Sequence, residues 1–429
     1  MRSIFIRGYI IEGVTAINDT ATGKKKGSFF TTTLPLFMLA HFGHHLVTAL
    51  PVLLLPFIRS DTSLTGSELS YSQSAWIIFA FSLAYGFGQI PGGWLADRIG
   101  RRAMIAVGIF GVSLVGILVG LSHSYLMLLV LLAVMGIAGG GYHPAATPWI
   151  SASAGERNQG RAIGFHFVGG GAGFFVAPFL AGAIAAVWGW QASFIVLAVP
   201  CAIFGLIFFF ILRRQKEASQ LRAVVAPHRA GAAVDKDRWR PLLALIVLSL
   251  VAGGMGSVMA FFSLYLVDQF GVSKEMAVFV IAISSFAGIW AGPVGGYISD
   301  RIGRVPIIIV TAFVGGGLLL LFGWVPYGFG LFVMLFFSGV NMYMGAPVSE
   351  AFIMGQTSAR HRSLIYGLYY LAGQGGALFA PLMGHLIDNI GFKTTTMIAG
   401  ISTMVVAIIC GSLLWGTRRT PSQVPDIPG

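Results

Sequence analysis

Residues Gly92–Arg102, GGWLADRIGRR, and Gly295–Val305, GGYISDRIGRV, are one phrase written twice. Gly93, Asp97, Arg98, Gly100 and Arg101 recur as Gly296, Asp300, Arg301, Gly303 and Arg304, each displaced by 203 residues. The same displacement carries Pro144 to Pro347, Arg157 to Arg360, Gly164 to Gly367, Gly173 to Gly376 and Pro178 to Pro381 without a gap. So many Gly, Pro and charged identities at one offset imply an internal duplication. The chain reads as two halves, 34–212 and 241–415, joined by a charged linker, 213–240, with a leader, 1–33, and a tail, 416–429. Duplicated halves around a central site are an architecture of secondary transporters.

What surrounds the repeated phrase sets the solvent. The chain has 429 residues, of which 56% are hydrophobic and 10% charged, against roughly 25% charged in soluble domains. Apolar runs of ~20 residues, enough to cross a ~30 Å hydrocarbon layer, recur from Leu34 to Trp415. Twelve are expected, giving an all-α integral membrane protein of two six-helix bundles. Juxtamembrane Lys and Arg stay on the cytoplasmic side of a bilayer. Of the 27 present, 24 fall on one side and only Arg59, Lys274 and Lys393 on the other. Both termini are therefore expected in the cytoplasm. The net charge of +12 is a topology signal spread over seven segments, with no interleaving of basic and aromatic residues to suggest nucleic acid. The first 33 residues show no signal-peptide cleavage pattern. Cys201 and Cys410 lie in apolar runs of different halves, without metal-ligand spacing, and read as buried small residues.

The phrase from Gly93 through Asp97, Arg98, Gly100, Arg101 and Arg102, with its weaker copy at Asp300, Arg301 and Arg304, resembles the loop signature of the major facilitator superfamily, and the likeness covers nearly the whole chain. Within it, HFGHHLVTALPVLLLP (His41–Pro56), GGGYHPAA (Gly139–Ala146) and GFHFVGGGAGFFVAP (Gly164–Pro178) are similar to the fosmidomycin-resistance efflux group. The resemblance implies alternating access, a monomer in the cytoplasmic (inner) membrane, and a gating role for the repeated phrase. A carboxylate at a helix end can pair with Arg or cap a neighbouring helix, holding the halves in one conformation and releasing them in another. Gly173 and Pro178, echoed by Gly376 and Pro381, are similar to a Gly-Pro pattern of proton-driven exporters. Small residues allow close helix approach and Pro permits a bend, so packing inherited by duplication explains them equally well.

The residues with chemistry inside the spans are few. His41 and His45 are one helical turn apart in the first span, with His44 alongside; His143 lies in the fourth span and His166 in the fifth. Antiparallel threading puts all five in the cytoplasmic part of the first half, at comparable depth. An ionisable group at membrane depth is costly and usually faces a cavity, and imidazole titrates near physiological pH, so these histidines are candidate proton carriers. The alternative gives each one a hydrogen bond to a neighbouring helix and no titration. Glu350 is a further candidate, or else a solvated boundary carboxylate. Asn341, Tyr85 and Gln374 could line a cavity or serve as helix-packing glue. No Arg or Lys stands in mid-span, which disfavours strongly anionic substrates.

The leading expectation is proton-antiport efflux of a small organic molecule, with protons, substrate and lipid as partners and no cofactor. The alternatives are a divalent-metal carrier liganded by His41, His45, His143 and His166, or a proton-coupled importer of a small metabolite. GxSxG, HExxH and Walker motifs are absent from the sequence, so an enzyme is not expected.

Overall fold

The computed structural model describes residues 29–154, 159–214, 239–357, 365, 368–369, 371–373 and 378–416. These residues form helices and connecting turns, with no strand among them. In chain order the spans are α1 (Phe29–Leu53), α2 (Tyr71–Ile99), α3 (Arg101–Gly120) and α4 (Tyr125–Ser151). The helix Gln159–Arg213 follows, broken at Gly189 (φ 83°) into α5 and α6. The second half has α7 (Trp239–Phe270), α8 (Lys274–Ile289 with Ala291–Ile302, bent by 43°), α9 (Arg304–Phe322) and α10 (Phe329–Gln356). The helix Ala380–Trp415, broken at Gly391 (φ 79°), supplies the end of α11 and all of α12. Each of these two long helices is thus two spans, and twelve are represented among the described residues. A positive φ costs glycine nothing and other residues a strained backbone, which is why these reversals fall on Gly.

Helix ends carry the signals expected of them. The Ser70 side chain accepts from Gln73 N, and Gln73 returns a bond to Ser70 N, a capping box opening α2. Ser273, 203 residues on, caps α8 through Met276 N. Gly100 (φ 97°) and Gly303 (φ 94°) make the same abrupt turn from α2 into α3 and from α8 into α9. The displacement falls to 202 beyond Pro381: Gly182 answers to Gly384 and Gly189 to Gly391. The described part of α1 is already helical at Phe29, ahead of Leu34, with the three threonines between inside the helix and the Arg161 guanidinium of α5 5.3 Å from the Phe30 ring.

Buried side chains gather into three cores. Around the arginine turns each half has its own: Phe37, Ile105, Trp149 and Phe208 in the first, Leu242, Val305, Phe352 and Leu414 in the second. Toward the opposite face a single core runs through both halves, from Leu54 and Ile78 to Phe261 and Met383. The seam pairs α5 with α8 and α2 with α11. At mid-seam, a Cβ added to Gly171 would lie 2.3 Å from the Gly288 carbonyl, and beyond it Phe175 meets Phe286 and Phe179 meets Phe279 at 5.5 and 5.8 Å. The halves are packed together away from the arginines and hold separate cores beside them.

Candidate functional site: a buried histidine cluster in the first half

Three helices bring the histidines together, and glycine explains how closely. A Cβ at Gly169 would meet the Met38 carbonyl at 2.3 Å, one at Gly173 the Phe42 carbonyl at 2.5 Å, and one at Gly170 the His41 ring at 2.4 Å. With hydrogen in those places α5 lies directly on the histidine face of α1. His166 then stacks on His41 with ring centroids 4.1 Å apart, and His45 and His143 lie 4.6 and 5.0 Å from His41. Phe174 covers His45 at 4.2 Å, and Tyr142 stacks on His44 at 4.7 Å. His41, His44 and His166 are buried, and His45 and His143 are half-buried.

Hydrogen bonding separates the five rings. His44 Nδ1 is 2.8 Å from the Gly108 carbonyl, which can only accept, so Nδ1 carries the proton. Its Nε2 lies 3.0 Å from the Tyr85 hydroxyl, and in the neutral ring it accepts from that hydroxyl. The Gly108 carbonyl lies in the π-turn Val107–Gly111, where the wider backbone re-aims carbonyls away from the usual ladder. Both ring nitrogens of His44 are therefore bonded, and the ring ties α1 to α2 and α3. His41 differs: Nδ1 donates to the His166 carbonyl at 2.7 Å, and its buried Nε2 has no hydrogen-bond partner among the described residues. Both nitrogens of His166 are likewise buried without a partner there, as is the Tyr142 hydroxyl. His45 Nδ1 reaches Thr48 Oγ1 at 3.3 Å, within its own helix. Ligand nitrogens of His41, His45 and His143 lie within 4.8 Å of one another.

The other candidates do not all converge. Tyr85 joins the cluster through His44. Asn341 instead donates to the Thr311 carbonyl at 2.9 Å, binding α10 to α9. Glu350 is half-buried on α10 beside Tyr369, which is hydrogen-bonded to Ser349. Gln374 and Gly376 lie outside the described residues. Pro178 stands within a continuous helix, whereas its copy Pro381 opens one, in the first turn after Phe379. In the repeated phrase, a Cβ added to Gly93 would lie 3.5 Å from the Pro144 side chain, so the start of the phrase packs on α4. Arg98 stacks on Trp94 at 4.0 Å and Arg301 on Tyr297 at 4.3 Å, one turn back along their own helices. Arg102 lies 5.5 Å from the Trp149 ring, and Arg304 donates to the Ala351 carbonyl at 2.6 Å, joining α9 to α10 within the second half. Asp97 and Asp300 end α2 and α8 as the repeat requires. The sequence places the histidines together but does not single out His44 as the bonded one, nor Tyr142 and Phe174 as aromatic walls; the Tyr142-His143 step beside the Gly-rich run is the signal that could have found Tyr142.

Twelve spans in two repeated halves, a seam closed at one face, and a histidine cluster buried within one bundle define a polytopic transporter rather than an enzyme. The family model described as Major Facilitator Superfamily matches residues 27–289 and 244–429, and the chain belongs to that superfamily. Relatives named "Multidrug resistance protein MdtG" include one from Dickeya zeae (strain Ech586), 24% identical over 83% of this chain and 88% of its own, and one from Salmonella paratyphi C (strain RKS4594), 26% identical over 80% and 86%. Among solved structures, the fold is shared with a bacterial homolog of the human lysosomal transporter Spinster in an inward-facing and occupied conformation (TM-score 0.69, 17% identity, 92% of this chain and 97% of that one). It is also shared with a POT family transporter in complex with a thioalcohol conjugated peptide (TM-score 0.74, 13% identity, 91% and 97%).

Proposed function

We propose that this secondary transporter exports small amphipathic organic molecules across the cytoplasmic membrane in exchange for protons. The arginine face would be cytoplasmic with both termini, and the chain would work as a monomer whose bundles, 34–212 and 241–415, move as bodies joined by 213–240. Export is supported by the multidrug-resistance names of relatives covering most of the chain. Proton exchange rests on one observation: the His41 Nε2, without a partner among the described residues, aimed into a cluster with His45, His143 and His166. A buried lone pair without a donor is a place for a proton, and a carrier must take one up on one side and release it on the other. Glu350 is a second proposed carrier, and the repeated Asp-Arg phrase the gate. In proteoliposomes, His41→Gln is expected to keep downhill exchange of a fluorescent cationic dye while losing accumulation driven by an imposed pH gradient. Full gradient-driven accumulation by Gln variants of all four histidines and of Glu350 would refute coupling.

A second reading, divalent metal as cargo, is favoured by the 4.8 Å convergence of His41, His45 and His143. Calorimetry distinguishes it: zinc binding to the wild type that is lost in His41→Gln would favour metal over drug.

A further inference from the structure

At the face opposite the arginines, the first turn of α2 holds two carboxylates of the other half. Tyr71 donates its backbone N–H to Asp388 of α11 at 3.0 Å and its hydroxyl to Asp268 of α7 at 2.7 Å. Ser72 gives Asp388 both its N–H, at 2.8 Å, and its hydroxyl, at 2.5 Å. Arg59, the last residue of the short helix Leu55–Arg59 that follows α1, donates to the same Asp268 oxygen at 2.5 Å. Its Nε is held by the Leu69 carbonyl at 2.9 Å, Glu68 lies at 3.8 Å, and its guanidinium lies 4.8 Å from the Tyr71 ring. Lys274, opening α8, reaches back to the Ser60 hydroxyl.

We propose that Arg59, Tyr71 and Ser72 of the first half and Asp268 and Asp388 of the second form a clasp that sets how often the transporter opens on this face. The first N–H groups of any helix lack partners within it. In α2 the Ser70 side chain takes one, at Gln73, and Asp388 takes those of Tyr71 and Ser72. The N-terminus of a helix in one half is thus completed by a carboxylate from the other, with the helix dipole and charge-assisted bonds both favouring the contact. Parting the halves at this face strips Asp388 of the two N–H groups and the Ser72 hydroxyl, and breaks the Arg59–Asp268 pair with them.

Duplication does not account for the arrangement. The positions of α5 equivalent to Asp388 are Ala185 and Ala186, at offsets of 203 and 202, and Tyr71 answers to Lys274. The capping serine is repeated at Ser273, but the carboxylate is not. The clasp belongs to one seam, α2 with α11, and to the face where a single core joins the halves. On the orientation proposed above it closes the outer mouth. A distance across this face reports separation whichever way the chain is inserted, so the clasp stands or falls apart from that orientation.

The test uses the full chain in lipid nanodiscs, spin-labelled at Ser67→Cys and Gln269→Cys, exposed positions flanking the seam. In Asp268→Asn with Asp388→Asn, the ratio of the long-distance to the short-distance population is expected to rise about tenfold, with smaller rises in each single variant. Exchanging the charges, Arg59→Asp with Asp268→Arg, should bring the population partly back relative to Arg59→Asp alone. Should the carboxamide variants fail to fold, Tyr71→Phe with Ser72→Ala removes two hydroxyl donors and leaves the carboxylates; about a threefold rise is expected there. An unchanged distance distribution in folded variants, even with a lowered melting temperature, would make these contacts simple packing and overturn the proposal.

Discussion

His44 and His41 are three residues apart on one helix and have opposite bonding. His44 spends both nitrogens on Gly108 and Tyr85, while His41 spends one and leaves the other facing the cluster. Tyr85→Phe is therefore expected to strand a buried acceptor and lower stability by about 1–3 kcal/mol, measured as a fall in melting temperature in detergent, with dye accumulation under a pH gradient intact. His41→Gln should do the reverse. The presence of the cluster is legible from spacing, since positions 41 and 45 share a helix face and the threading fixes depth. The division of labour is not, because it hangs on a carbonyl exposed by a π-turn in α3, which no periodicity announces. Asn341 is open to two readings, cavity lining or helix-packing glue, and its bond to the Thr311 carbonyl next door is the kind of contact the second describes, a choice sequence leaves open.

Helices α2 and α8 end alike, and the ending is conformational before it is chemical. Gly100 and Gly303 hold φ at +97° and +94°, a region side chains with a Cβ rarely enter, so the arginines that follow restart as helix in a new direction. Gly100→Ala is expected to cost about 1–3 kcal/mol, and Gly303→Ala similarly, read as lowered thermal stability and a reduced transport rate. An Ala variant as stable and active as wild type would show that the turn relaxes without strain. The repeated glycines and charges are readable as a phrase, but hydropathy starts α1 at Leu34 although the chain is already helical at Phe29, because the threonines between lower the hydropathy of that turn. The second Gly-Pro copy likewise reads as a repeat of the first; Pro381 instead stands where a helix begins, a place that suits its missing N–H.

Across the whole molecule, cores shared on one side and separate on the other mean that the two faces are held differently: apolar packing and the carboxylate contacts join the halves at one, and each half packs around its own core at the other. Asp97→Asn is expected to cut the transport rate without weakening dye binding, because its position at the end of α2 is about three turns beyond Tyr85, where that helix meets the histidines. Fluorescence anisotropy of the dye checks the binding and liposome flux the rate; loss of binding with flux per bound dye unchanged would contradict it. The two-half plan is fully legible, since a constant offset needs no structure to be seen. Which seam residues bind is not, since Asp268 and Asp388 look like boundary charges until α2 is laid beside them.

The drop from 203 to 202 between Pro381 and Gly384 has a geometric outcome. At 3.6 residues per turn, one missing residue swings everything beyond it by about 100° around the helix axis relative to its copy in α5. Asp388 is thereby brought to the bearing that Ala185 holds in α5, about 100° from that of Ala186, its counterpart at the offset of 202, and the twofold is broken at that corner. Two motions that a perfect duplicate would make interchangeable, parting along α5–α8 and parting along α2–α11, become inequivalent, and the molecule acquires a handed preference for which edge gives way last.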